Sequence, residues 1–266
     1  MPDLETLADG YELVEAPRAD GEGGVYFTDV LGGGVYRWSE NEVATVVPKR
    51  RGVGGMALHR GGGVIVGGRA VIHVAPDGTN REVWTPPEAV AGLNDLCALH
   101  DGTLLVGALR FRPFAGEAPV PGSFWHVASA GQAVEVVPDV DWPNGCGQSV
   151  DDRLVFCCDY HRGVVHAMDA AGQHRVFAEL PGGEADGLAV DDEGGVWVAQ
   201  PRAERLVRIT PDGQMDRTFE VGLAVTSLAF DGDVLYLTTL ATDDVRGALL
   251  RTAAPVPGPR HHLATV

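Results

Sequence analysis

The sequence predicts an all-β fold, a six-bladed β-propeller with four antiparallel strands per blade. Three observations point there. A Gly/Asp turn followed by four or five strand-forming residues recurs six times along the chain. No helical period competes with it. Gly and Pro number 36 and 17 among 266 residues, which suits many short strands joined by tight turns.

The six copies read "GEGGVYFTDV" from Gly21, "RGGGVIVGGR" from Arg60, "HDGTLLVGAL" from His100, "DDRLVFCCDY" from Asp151, "DEGGVWVAQP" from Asp192 and "DGDVLYLTTL" from Asp231. Their first apolar residues, Val25, Val64, Leu104, Leu154, Val196 and Val234, lie 39, 40, 50, 42 and 38 residues apart. Each copy has an alternating run before the turn and a strand after it. Two further strands follow, as in "RLVRITPDGQ" and "MDRTFEV" of the fifth copy. Repeated four-stranded units of about 40 residues describe a propeller. The interval of 50 marks an insertion in the third copy, "ALRFRPFAGEAPVPGSFW". The sixth copy thins out after "GALLRTAAPVPG", so Leu4-Glu5-Thr6-Leu7 is expected to supply its outer strand and close the ring. Residues 1–266 are read as one propeller domain, with the tail "GPRHHLATV" disordered.

Bulk properties narrow the function classes. The net charge of −17 repels nucleic acid and anionic membranes, so neither is an expected partner. No apolar run is long enough to span a bilayer as a helix. The acidic N-terminal stretch lacks a basic segment followed by an apolar one, predicting no secretion signal. Cys97, Cys146, Cys157 and Cys158 form no C-x-x-C pair and read as reduced, buried thiols of a cytoplasmic protein. Gly-His and Trp-Asp blade signatures are missing, which argues against a protein-binding WD40-type propeller.

One position stands out. Ten residues before the second strand begins, the copies carry Glu15, Gly54, Asn94, Asn144 and Asp186; the sixth has Thr226, eight residues before Val234. This slot is the entry to the innermost strand, and in a propeller such entries converge on one mouth of the central channel. Two carboxylates and two amide oxygens brought to one axis call for a cation. As hard oxygen donors they suit Ca²⁺ first and tolerate Mg²⁺, Mn²⁺ or Zn²⁺.

With those residues in view, the chain resembles the SMP-30/gluconolactonase/LRE (regucalcin-like) family over nearly its whole length. The family's E-G-P motif corresponds to Glu15-Ala16-Pro17, a mild departure. N-D-G corresponds to Asn94-Asp95-Leu96, N-G-L to Asn144-Gly145-Cys146 and D-G-L to Asp186-Gly187-Leu188. The resemblance implies that Glu15, Asn144 and Asp186 bind one divalent metal ion. It places Asn94 in the site beside them and makes Asp186 the catalytic base. Many lactonases of the family carry an Arg two residues before the first Asn; here that residue is Gly92. A strictosidine-synthase-like propeller lacks this metal set.

The implied activity is a metal-dependent, gluconolactonase-like opening of a lactone, a carboxylic ester hydrolysis. The carbonyl is polarised by the metal, and a metal-activated water loses its proton to Asp186, with Asn94 as the second catalytic residue. Phosphotriesterase-like hydrolysis, dehydration or isomerisation on the same scaffold, or a non-enzymatic binding propeller, are the alternatives. The substrate is expected to be a small cyclic ester, and the protein a monomer or homodimer. Candidate substrate contacts are Asn94; Arg110, Arg112 and Phe114 in the long insertion; Tyr160 and His161 in "CDYHRG"; and Arg18, which lines the channel or pairs with an acidic neighbour. His59 and His73 are assigned no role.

Overall fold

The computed structural model describes residues 3–50, 52–128 and 131–266, and they form six antiparallel sheets arranged as propeller blades. In the first five sheets each strand pairs with the next in sequence, so the innermost strand is always the first. These innermost strands are Val14–Ala19, Met56–Leu58, Gly92–Ala98, Pro143–Gln148 and Leu188–Val190. The only helical element among the described residues is a single 3₁₀ turn, Pro113–Ala115, in the third-blade insertion. No helix among these residues is long and apolar enough to cross a membrane.

The sixth blade closes the ring. Val225–Thr239 folds back on itself at Asp231–Asp233, which sets the Thr226 and Thr238 hydroxyls 3.0 Å apart. Gly247–Gly258 pairs with its second half. The N-terminal strand Glu5–Tyr11 then pairs with Gly247–Gly258 as the outermost strand. The closure expected of Leu4–Leu7 is thus made by Glu5, Thr6 and Leu7 together with the residues that follow them to Tyr11.

The core lies between blades rather than inside any one of them. Ile65 and Trp84 of the second blade pack on Leu96, Leu104 and Val106 of the third. Val165 and Phe177 of the fourth pack on Val196 and Val207 of the fifth. Each strand's alternation therefore serves two interfaces, one on either face of its sheet. Cys157 and Cys158 show the rule. Adjacent on the strand Leu154–Asp159, they point to opposite faces and join different clusters. All four cysteines are free and buried.

The C-terminal tail corrects the sequence reading. It is ordered, with Ala264 and Val266 buried and Ala264 bridged to His59. Arg60 N–H donates to the Ala264 carbonyl, and Arg81 donates to the carbonyl of Val266. The tail carries enough apolar and hydrogen-bonding groups to dock, a signal that its polar composition hides. His261 and His262 lie beside Cys97, Gly147 and Val190, at the turn end of the innermost strands.

Candidate active site

The slot residues converge because glycines let the innermost strands approach. A Cβ at Gly145 would sit 2.4 Å from the Asp186 carbonyl oxygen, and one at Gly187 would sit 2.4 Å from Ser227 Cα. Only glycine permits such contacts. They place Asn144 beside Asp186 and Asp186 beside Thr226 at the channel mouth, where Gly145 N–H donates to the Asp186 carbonyl and Gly187 N–H to that of Thr226. The second blade's Gly54 has its own reason. The Asn94 side-chain oxygen lies 2.8 Å from where a Gly54 Cβ would be.

A cavity of about 110 Å³ opens at this mouth. Glu15, Asn94, Asp95, Asn144, Asp186 and Thr226 line its polar part, and Phe114, Trp142, Tyr160 and Leu240 are among its apolar walls. All six slot positions, Gly54 included, therefore face one space. Asn94 donates its side-chain N–H to the Pro143 carbonyl at 2.9 Å, which fixes its amide.

The electrostatics of the cavity are unbalanced. Asp186 is 5% exposed, and its Oδ1 is buried with no hydrogen-bond partner among the described residues. Burial, then the charges of Asp95 and Glu184, push its pKa well above the usual carboxylate range, and a hydrogen bond from Asn144 pulls it only partly back. Burial and the charges of Asp186 and Asp95 raise Glu15 likewise. Asp95 is pushed up to about 6, mainly by burial, although the Arg18 guanidinium and the Leu96 N–H oppose the shift. Three carboxylates thus line one small space, and the guanidinium of Arg18 stands next to it, 3.8 Å from Asp95.

That imbalance tests whether a cation fits. Two or three buried carboxylates, an amide oxygen and an orphaned carboxylate oxygen form a hard donor set lacking positive charge. Among the described residues no group of three or more His, Cys, Asp or Glu is placed to hold a metal ion. Any ion here would depend on asparagine oxygens as well as carboxylates.

The other candidates divide. Phe114 and Tyr160 line the cavity. Tyr160 O–H donates to Glu184 at 3.2 Å, and Glu184 is itself held by Arg202 at 2.8 Å. Arg18, Arg110, Arg112 and His161 do not line it. Arg18 lies buried next to the site, donating to the carbonyls of Pro17 and Leu96 as well as facing Asp95. Arg110 is exposed and pairs with Glu135 at 3.6 Å, and Arg112 pairs with Glu117. His161 is exposed, its ring 5.1 Å from that of Trp142.

Reasoning from sequence missed Asp95, Trp142 and Glu184. Asp95 stood beside Asn94 and would have been found by asking which innermost-strand residue faces Arg18. Trp142, two residues before Asn144, carried an aromatic signal that was passed over. The replacement of Gly by Ala16 is less mild than it looked. Ala16 is buried with φ of 50°, a left-handed conformation that glycine adopts freely and alanine only at a cost.

The profile of the SMP-30/gluconolactonase/LRE-like region matches residues 13–241, which span the first five blades, the Val225–Thr239 strand of the sixth and all the slot residues. The chain belongs to the SMP-30/gluconolactonase/LRE-like family. Among its relatives, regucalcin of Xenopus laevis is 26% identical over 246 residues, covering 85% of this chain and 81% of that protein. L-arabinolactonase of Azospirillum brasilense is 38% identical over 91 residues, a segment spanning 33% of this chain and 29% of that enzyme. The solved calcium-binding protein regucalcin of Agrobacterium tumefaciens superposes with a TM-score of 0.87 at 19% identity, covering 100% of this chain and 98% of its own. That likeness is one of fold.

Proposed function

We propose that this SMP-30/gluconolactonase/LRE-like protein is a divalent-cation-dependent hydrolase that opens a lactone to its hydroxy acid. The observation that carries the reading is the buried, unpartnered Oδ1 of Asp186 among converging oxygen donors. Family membership and the lactonase relative support the reaction class.

Glu15, Asn144 and Asp186 would hold the cation, with calcium the first expectation from the oxygen donors. When bound, such an ion supplies the positive charge against which a lactone carbonyl polarises and its developing oxyanion is stabilised. Asp186 takes one proton from water as the water oxygen bonds to the carbonyl carbon. The ring C–O bond then breaks, and that proton passes to the departing alkoxide, leaving a free alcohol and a carboxylic acid on one molecule. Asn94 orients water or substrate through its amide, which Pro143 fixes. Arg18 acts through Asp95 and is a positioning residue. Tyr160 and Trp142, with the exposed Phe114 at the rim, give the ring an apolar wall.

The test is elemental analysis of the purified protein, followed by chelation and cation add-back in a lactonase assay. Stoichiometric divalent metal, loss of lactone opening on chelation and recovery on add-back are expected. Undiminished hydrolysis by demonstrably metal-free protein would overturn the reading.

A further inference from the structure

Outside the inner cavity lies a second, larger one of about 600 Å³, between the third-blade insertion and the second blade. Gly54, Asn94 and Phe114 line both, so the two cavities adjoin. The outer part has an apolar side, which includes Leu93, Phe111 and Phe114. It also has a cationic side. Arg69 lines it, and no carboxylate pairs with Arg69 among the described residues, whereas Arg110 and Arg112 of the insertion are both paired. Arg50 stands next to it. A Cβ at Gly68, which also lines the cavity, would meet the Arg50 guanidinium at 3.4 Å. Arg50 is half-buried and likewise has no ion-pair partner among the described residues, and burial lowers its pKa.

Arg69 and Arg50 bring positive charge to this cavity in a chain of net charge −17. They border the outer part, whereas Glu15, Asp95 and Asp186 line the inner one. A ligand spanning both parts would therefore meet negative charge at one end, apolar side chains between, and positive charge at the other. Gly92, which lines the outer part, leaves the space clear. A Cβ there would meet nothing closer than the Gly68 carbonyl oxygen at 4.0 Å.

Taking the lactone-opening reading as given, we infer that the substrate is a lactone bearing an apolar arm that ends in a carboxylate. The ring sits over Asp186, the arm lies along Leu93, Phe111 and Phe114, and the carboxylate faces Arg69 and Arg50. This excludes a compact, neutral polyhydroxy lactone as the best substrate.

The experiment compares two γ-lactones on the calcium-supplemented protein: one with an aryl arm ending in a carboxylate, the other its methyl ester. The carboxylate is expected to have the higher kcat/KM by about fivefold at low salt, the upper range for one exposed ion pair. The preference shrinks on raising ionic strength, because the pair is exposed. Arg69→Gln cuts the ratio, Arg69→Lys keeps part of it, and Arg50→Gln with Arg69→Gln removes it through KM. Arg60→Gln, at the tail-covered end of the ring, leaves the ratio at its wild-type value. Equal use of both lactones, or a ratio that ignores Arg69→Gln, overturns the inference. Should the protein open no lactone at all, calorimetric titration with the ring-opened dicarboxylate and its monoester decides. An Arg69-dependent preference for the dicarboxylate then upholds the carboxylate-binding end at Arg69 and Arg50 while lactone opening falls, and equal binding overturns it.

Discussion

Asp186 and Asp191 lie at the two ends of one short strand, Leu188–Val190, and the protein treats them oppositely. Both are buried. Asp191 is saturated. It accepts from Gly195 N–H at 2.7 Å, from Trp197 Nε1 at 2.7 Å and from Arg208 Nε at 2.6 Å. Arg208 in turn reaches Asp216 and Glu193. Asp186 faces two other carboxylates and leaves an oxygen unpartnered. The difference teaches how to separate a carboxylate that holds the fold from one held for something else. The first is satisfied by the chain itself, and the second is left open by it.

The comparison breaks most visibly at Asp186. Asp186→Ala should lower lactone kcat by about 10³-fold or more, since it removes both a base and a cation ligand. The same variant should unfold at a higher temperature than the wild type when both are metal-free, because it relieves repulsion. A lower melting temperature for the metal-free variant would mean that Asp186 is structural after all. Asp191→Ala should do the reverse. It leaves Arg208 with Asp216 and Glu193 but takes the acceptor from the buried Trp197 Nε1–H and Gly195 N–H, at about 1–3 kcal/mol for each unpaired donor. Denaturant unfolding should show that loss, while kcat per folded molecule stays close to wild type.

The acid side sharpens the contrast. Asp95 has its pKa raised to about 6 in the folded protein from an ordinary value near 3.8. The folded state therefore holds the proton more tightly than the unfolded state. The favourable contribution is full below about pH 4 and is lost as pH rises through about 6. That is roughly 3 kcal/mol from Asp95 alone. Glu15 and Asp186 shift in the same direction. Metal-free protein should therefore melt lower at pH 8 than at pH 5, and Ca²⁺ should remove most of that difference. A melting temperature that rises over this range in chelator would refute the reading of the mouth as charge-frustrated. The smallest effect is at Ala16. Ala16→Gly should relieve the left-handed strain and raise the melting temperature by a few degrees at most, on the order of 1 kcal/mol.

Much of this was legible because repetition makes position visible. The interval near 40 residues gave the blades, and the common offset gave Glu15, Asn94, Asn144 and Asp186, all of which line the one cavity. What repetition does not carry is side-chain direction in unrepeated segments. The insertion showed its aromatics and arginines, yet only the fold separates Phe114, which faces the cavity, from Arg110 and Arg112, which pair with Glu135 and Glu117. The same limit hid the docking of the tail, since one buried alanine and one buried valine make no periodic pattern.

The sixth blade joins strands from opposite ends of the chain, with Arg251 and Glu5 bonded across a separation of 246 residues. Until Gly247–Gly258 has been synthesised, Glu5–Tyr11 has no neighbour to pair with, and the first blade's inner face waits uncovered. Ring assembly is consequently a late, long-range event in biosynthesis. Glu15 and Asp186 can be locked at their final spacing only after the circle is complete, so the site itself becomes a reporter of finished folding.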